Sequence, residues 1–446
     1  MEFLDSLVLP QSKEHIQLLH FMSMIVMFLF IPFLGLLIGG TTLSVFFRKK
    51  GTNTKEQIYF RFAREIIELI AVNKKAGLFL GIVPILTLLL IYSQLLHNLK
   101  MASTAYLLIA LFFIVPGVIL VYTYRYSFQF SSLFSKLTLK NSEDEIKEEF
   151  ESVSENSEAV SKKSGLWSLI LLITGSYFFT GAITLAAFPN EWAASKSILH
   201  IFISSSIFIK WLYFIGSSFA LTGGYILFAY FYWEGGKENL GEDYAALIKE
   251  SALKVTIWGS LSIPVFVMLH VIALPVSSLS TTGFIFTFIG LLFVFAVYHF
   301  VYDMIKRVHL KFAGWTFMTL LFAVVVLIIS DQMAINSGTK EHSLLLATNY
   351  DALIQAEATA DGAEVLSGAD IFNLRCAACH KFDQKMVGPP YNETLPKYEG
   401  DIKGLIKYIN NPVKVNPEYP SMPAQGLKPK EARAVSEYIL EEYKKY

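Results

Sequence analysis

Cys376, Cys379 and His380, in the stretch LRCAACHKF, include the only two cysteines in 446 residues. Two thiols separated by two residues, with a histidine directly after the second, form the C-x-x-C-H pattern of covalent haem attachment. The thiols add across the two porphyrin vinyl groups, and the histidine stands where it can ligate the iron. A thioredoxin-like redox pair would follow a strand, and none is expected upstream. A zinc site would need further ligands that this region lacks. Haem c is attached on the outer side of an energy-conserving membrane, so residues near 376 should face the periplasm or its equivalent.

More than three hundred mostly apolar residues precede the motif. The chain is 54% hydrophobic with no net charge and a mean hydropathy of +0.47, which argues for an integral membrane protein and against a nucleic-acid partner. Eight runs are long enough to cross a hydrocarbon core of ~30 Å: 16–47, 76–97, 101–124, 165–188, 198–232, 255–275, 283–302 and 312–330. The first begins too late and runs too long for a cleaved signal peptide, so it reads as a retained helix. With the start of the chain outside, the inward loops 48–75, 125–164, 234–254 and 303–311 hold twenty Lys and Arg, against Lys13, Lys100 and Lys196 on the outward segments before the last span. The positive-inside rule therefore places the N-terminus outside. Eight crossings return the C-terminus to the same side, where haem attachment requires it.

Residues 55–75 place Ile58, Phe62, Ile66 and Leu69 on one helical face, as suits a helix on the membrane surface or a solvated connector. Residues 140–164 are acidic and Ser-rich, and read as a solvated, partly disordered loop.

Histidines supply a second candidate site. His20 falls near the outer end of the first span, His97 at the outer end of the second, His200 at the outer start of the fifth, and His270 about one turn below the outer end of the sixth. Intramembrane histidines usually pair with a cofactor, an ion or a relay, and imidazoles on facing helices hold haem iron in bundles. One such histidine alone is more often a hydrogen-bonded interface residue. Four at one level lead to the expectation of one or two haems b. His15 belongs to the headgroup level, as do Glu14 and Glu191; His299 and His309 lie toward the inner face, and His342 beyond the last span. Lys210, ten residues past His200, is expected ~15 Å deeper, near mid-membrane, with no evident acidic partner on any span.

The last eighty or so residues, with SGADIFNLRCAACHKF, MVGPPY, SMPAQGL and AVSEYILEEY, resemble the class I cytochrome c domain. The resemblance implies that Met422 is the second axial ligand opposite His380, that Gly368 and Phe372 meet Tyr438 where the first and last helices cross, and that a carbonyl in the Gly388–Pro390 loop orients the ring of His380. A methionine thioether would raise the iron's potential. Met386, the other methionine of the module, is expected at the haem edge. The membrane part resembles subunit I of the cytochrome bd quinol oxidases, in LLHFMSMIVMFLFIPFLGLLIGG and SILHIFISSS; that likeness would carry haem b ligation to His20 and His200. The third span lacks that family's paired glutamates, and the Gly-Arg-Gln-Pro-Trp signature is missing.

The expected protein is all-α. A polytopic bundle of about eight spans occupies residues 1–331, a tether 332–365, and a cytochrome c domain 366–446. Its expected work is electron transfer between membrane quinol and soluble periplasmic carriers in the bacterial cytoplasmic membrane, as a quinol:cytochrome c oxidoreductase or a subunit of a respiratory enzyme with a second membrane subunit. The alternatives are a bd-like terminal reductase fed through haem c, and a non-redox scaffold that carries a cytochrome.

Overall fold

The computed structural model describes residues 11–99, 101–134, 144–237, 240–307, 310–360 and 367–446, without the side chains of 134, 144–149 and 355–360. Among the described residues every regular element is helical, and the chain divides into two compact units, Met1–Asn349 and Tyr350–Tyr446.

Eight helices of the first unit are long and apolar enough to cross a membrane. They are α1 (Lys13–Thr54), α3 (Lys74–Leu95), α4 (Ser103–Phe134), α5 (Asp144–Ala186), α6 (Ser205–Phe231), α7 (Glu242–Ala273), α8 (Thr281–Lys306) and α9 (Ala313–Gly338). Consecutive spans pack as the hairpins α4–α5, α6–α7 and α8–α9, while α1, α6 and α9 pack on one another. Without a hydrophobic drive inside lipid, such contacts depend on small residues that let backbones approach. A Cβ on Gly39 of α1 would lie 2.9 Å from the Ser218 carbonyl oxygen of α6, and one on Gly259 of α7 would lie 2.4 Å from the Ala220 nitrogen. Large apolar side chains such as Phe112, Trp258 and Ile272 are more than 70% exposed, the surface that lipid would cover. The end of the bundle at which α1 begins is here the proximal end; by alternation α3, α5, α7 and α9 finish there.

Four expectations change. The apolar face of α2 (Gln57–Ile70) docks on the bundle, with Phe62 and Ile66 fully buried and the Phe62 ring 4.7 Å from that of Phe47. The acidic stretch is helix from Asp144 onward, continuous with the fourth span over 43 residues. Glu158 and Lys162, one turn apart, pair there at 2.7 Å; residues 135–143 lie outside the described ones. The fifth span begins at Ser205, because the Ser204 hydroxyl accepts from the Ile207 nitrogen and caps it. His200 therefore sits before the span, on a 3-10 turn, Ile198–Phe202. The last span continues to Gly338, and α10 (Lys340–Ala360) follows after one residue. The segment expected as a tether, 332–365, is thus helical through Ala360 apart from Thr339, and its residues 361–365 lie outside the described ones. His309 also lies outside them; His299 is exposed near the distal end.

The second unit holds α11 (Gly368–Ile371), α12 (Tyr391–Thr394), α13 (Ile402–Asn410) and α14 (Pro429–Glu442). A capping box starts α11: the Ser367 hydroxyl accepts from the Asp370 nitrogen, and the Asp370 carboxylate accepts from the Ser367 nitrogen. Where α11 crosses α14, a Cβ on Gly368 would lie 2.3 Å from the Ala434 carbonyl oxygen, so only glycine permits that approach. The rings of Phe372 and Tyr438 are 5.8 Å apart, the contact expected of these residues.

Candidate functional site

The π-helical turn Phe372–Cys376 carries α11 into the motif. The nitrogens of Cys379 and His380 both donate to the Cys376 carbonyl, at 3.0 and 2.9 Å, folding C-x-x-C-H into a single tight turn. Both cysteines are free thiols, Cys376 buried and Cys379 exposed. Burial pushes the Cys376 thiol up from its ordinary range, against a hydrogen bond with the Tyr391 hydroxyl.

The loop after the motif holds the His380 ring. The Gly388 nitrogen donates to the Cys379 carbonyl at 2.8 Å, and the Tyr391 nitrogen to that of Lys381 at 3.0 Å. His380 Nδ1 lies 3.0 Å from the Pro389 carbonyl oxygen, so Nδ1 carries the proton and donates it, leaving Nε2 with its lone pair for a metal. Burial holds this imidazole below its usual range, with the Pro389 carbonyl working against that shift; the neutral ring is the form that ligates. Tyr391 stacks on it, ring centroids 4.9 Å apart and planes 16° from parallel. The motif did not assign Tyr391 a role, though it directly follows the Gly-Pro-Pro turn that holds the histidine.

His380, Cys376, Cys379 and Met422 line one cavity of about 390 Å³, closed by Leu405, Ile409 and Ile439. The methionine arrives on an irregular segment anchored to α13 through the Gln425 nitrogen, 3.4 Å from the Ile409 carbonyl oxygen. Met386, expected at the haem edge, is 40% exposed and does not line the cavity, so Met422 is the thioether that would serve a bound haem as its second ligand. A haem c fits this donor set: two free thiols, one oriented imidazole, one thioether and apolar walls. When bound it supplies an iron that takes or gives one electron. Gly388 allows the ring and loop to meet, since a Cβ there would lie 2.2 Å from His380 Cε1. A Gly388→Ala variant should keep covalent haem through its cysteines but lose the low-spin His/Met spectrum, as read by visible absorption and magnetic circular dichroism.

The membrane histidines are not gathered onto one partner. His20 Nδ1 lies 3.4 Å from the Gln332 side-chain nitrogen. His97, just past the end of α3, offers backbone to the buried His342 of α10. His200 Nε2 lies 2.9 Å from Glu191, which also accepts from the hydroxyls of Ser204 and Ser206. His270 Nε2 is 3.8 Å from Asp331, with Nδ1 buried and unpartnered. All four remain within about 10 Å of the proximal helix ends at 1.5 Å per residue.

Lys210 has a partner that hydropathy concealed. It forms an ion pair with Asp331 of α9, one residue beyond where the last apolar run was expected to end, and its ammonium also lies 4.7 Å from the Tyr213 ring centroid. Lys210 is five residues into α6, and Asp331 seven residues before the end of α9. The pair therefore lies toward the proximal ends of both helices and not at their middle. The enclosed space beside it, lined also by Thr180 and Ser217, is about 30 Å³, roughly the share of one water. That space does not accommodate a haem b.

The family model for Cytochrome c matches residues 365–441. Cytochrome c-551 of Pseudomonas denitrificans is 30% identical over 79 residues, which cover 17% of this chain and 95% of that protein. No solved structure matches at a significant level. Through its C-terminal unit, which carries the attachment motif, the chain belongs to the cytochrome c family.

Proposed function

We propose that this membrane-bound cytochrome passes electrons between the membrane quinol pool and soluble redox carriers on the outer face of a bacterial cytoplasmic membrane. The observation that carries the reading is the union in one chain of eight membrane-crossing helices with a cavity lined by Cys376, Cys379, His380 and Met422. A single span would suffice to anchor a cytochrome, so eight argue for work inside the membrane. Oxidising a quinol to the quinone releases two electrons and two protons. A one-electron centre takes the electrons singly, and the protons leave through groups near the outer surface, where Glu191, His200 and the hydroxyls of Ser204 and Ser206 already form a connected set.

The distribution of Lys and Arg supports an outer position for the proximal end, and with it for the C-terminal domain. The one or two haems b expected among His20, His97, His200 and His270 are left out of the proposal, because the side chains of His20, His200 and His270 contact separate protein partners. Deleting residues 366–446 should abolish quinol-driven reduction of an added soluble cytochrome by membranes containing the protein. Undiminished reduction would mean that the domain is not on the electron path.

A further inference from the structure

At the distal end, α1, α4 and α5 enclose a cleft of about 200 Å³, lined by Arg48, Lys49, Thr52 and Asn53 of α1, Tyr124 of α4, and Lys162 of α5. Three of these side chains are cationic, and no carboxylate is among the described lining residues. Arg48 is only 8% exposed, and it is held from two sides. Its Nη1 donates to the buried Ser161 hydroxyl at 2.7 Å, and its guanidinium lies 4.7 Å from the Phe128 ring centroid and 5.9 Å from that of Tyr124. A buried guanidinium fixed in this way is a preorganised partner for an anion. Its direct contacts are a hydroxyl and two aromatic rings, and the Glu158 carboxylate beyond them acts on it only through space.

The level of the cleft narrows the choice of anion. Arg48 directly follows the apolar run 16–47, and Lys162 stands three residues before the run that begins at 165, so the cleft lies where hydrocarbon gives way to headgroups. Its volume equals roughly six or seven waters at ~30 Å³ each, the scale of a phosphodiester with its first substituents. Lys49 and Lys162 are exposed at the mouth. Lys162 pairs with Glu158 at 2.7 Å, but both are more than half exposed, and such a pair holds its lysine only weakly. Basic pockets between spanning helices at this level are the usual receptors for anionic lipid headgroups.

We propose that this cleft binds the phosphate of an anionic membrane phospholipid, with Arg48 as its fixed cation and Lys49 and Lys162 closing over it. The site shares no residue with the haem c cavity of the second unit.

Native mass spectrometry of the full-length holoprotein, released from nanodiscs of phosphatidylcholine with phosphatidylglycerol, reads the site directly. One phosphatidylglycerol should be retained in preference to phosphatidylcholine. Lys49→Gln and Lys162→Gln should each weaken that retention about fivefold, and the pair together ~25-fold, at about 1 kcal/mol per cation. The haem c spectrum should be unchanged in all of them. These lysines are exposed, so the variants test binding where Arg48→Gln risks the fold. Equal retention of both lipids, or retention indifferent to both lysines, would overturn the proposal. Displacement of the lipid by millimolar inorganic phosphate would also overturn it, by showing a site for a soluble anion.

Discussion

The Cys376→Ala/Cys379→Ala variant, produced alongside a haem c attachment system, should carry no covalent haem, while Met422→Leu should keep its full complement and lose only the thioether ligand. The two thiols form the covalent links, and among the described residues they are the only cysteines. The imidazole is held by the Pro389 carbonyl at 3.0 Å, independently of the sixth ligand. Met422 lines the cavity from the other strand of chain, so its loss should open one axial position and lower the midpoint potential. Axial ligands move haem potentials across a range of about 0.8 V, and ~59 mV is a tenfold change for one electron, so the fall should be plain in a redox titration. Haem-stained gels after denaturation read attachment, and carbon monoxide binding to the reduced Met422→Leu variant reads the opened position. An unchanged potential in Met422→Leu would remove Met422 from the iron.

The second large effect concerns the Lys210–Asp331 pair. Removing either partner leaves an uncompensated charge in the membrane domain, at a cost of about 3–5 kcal/mol for a buried pair. Lys210→Met and Asp331→Leu should each lower the thermal denaturation midpoint of the detergent-solubilised protein markedly. The double substitution should recover most of that loss, because replacing both charges with apolar side chains is often neutral or stabilising. If the double variant is as unstable as the sum of the singles, the two side chains do not act as a pair. The side chains are only 9% and 19% exposed, so solvent cannot take over the role of the missing partner. If the pair also serves the passage of protons, the double variant should be stable yet slow in quinol oxidation.

The attachment motif was readable because covalent chemistry fixes its spacing locally, and the spans were readable because hydrocarbon demands long apolar runs. What escaped the sequence lay at the ends of those runs. The last apolar stretch stops at Ile329–Ser330, yet α9 continues to Gly338 with Gln332 and Ala334 buried. The polar residues there face protein, so hydropathy ended the span just short of Asp331 and hid the partner of Lys210. At the fifth span the opposite error arose. Ile198–Phe202 is apolar enough to join the run, but the serines after it start a new helix, which moved His200 out of the span and Lys210 toward the surface. Ser204, the first of them, is the N-cap residue, and it was the signal that could have placed the break. Residues 340–360 and 144–164 were judged by polarity, whereas Ala, Leu, Glu and Lys favour helix irrespective of exposure. Tyr391 needed the structure, because stacking on His380 depends on how the Gly388–Pro390 turn folds back.

The most direct test of the central claim is to follow the reduction of haem c in sealed vesicles containing the full-length protein, with quinol as the only electron source. The account predicts that haem c becomes reduced and then passes its electron to an external soluble carrier, and that Cys376→Ala/Cys379→Ala vesicles pass none. Haem c that stays oxidised under quinol, yet is reduced readily by a soluble donor, would contradict it and leave the membrane domain outside the electron path.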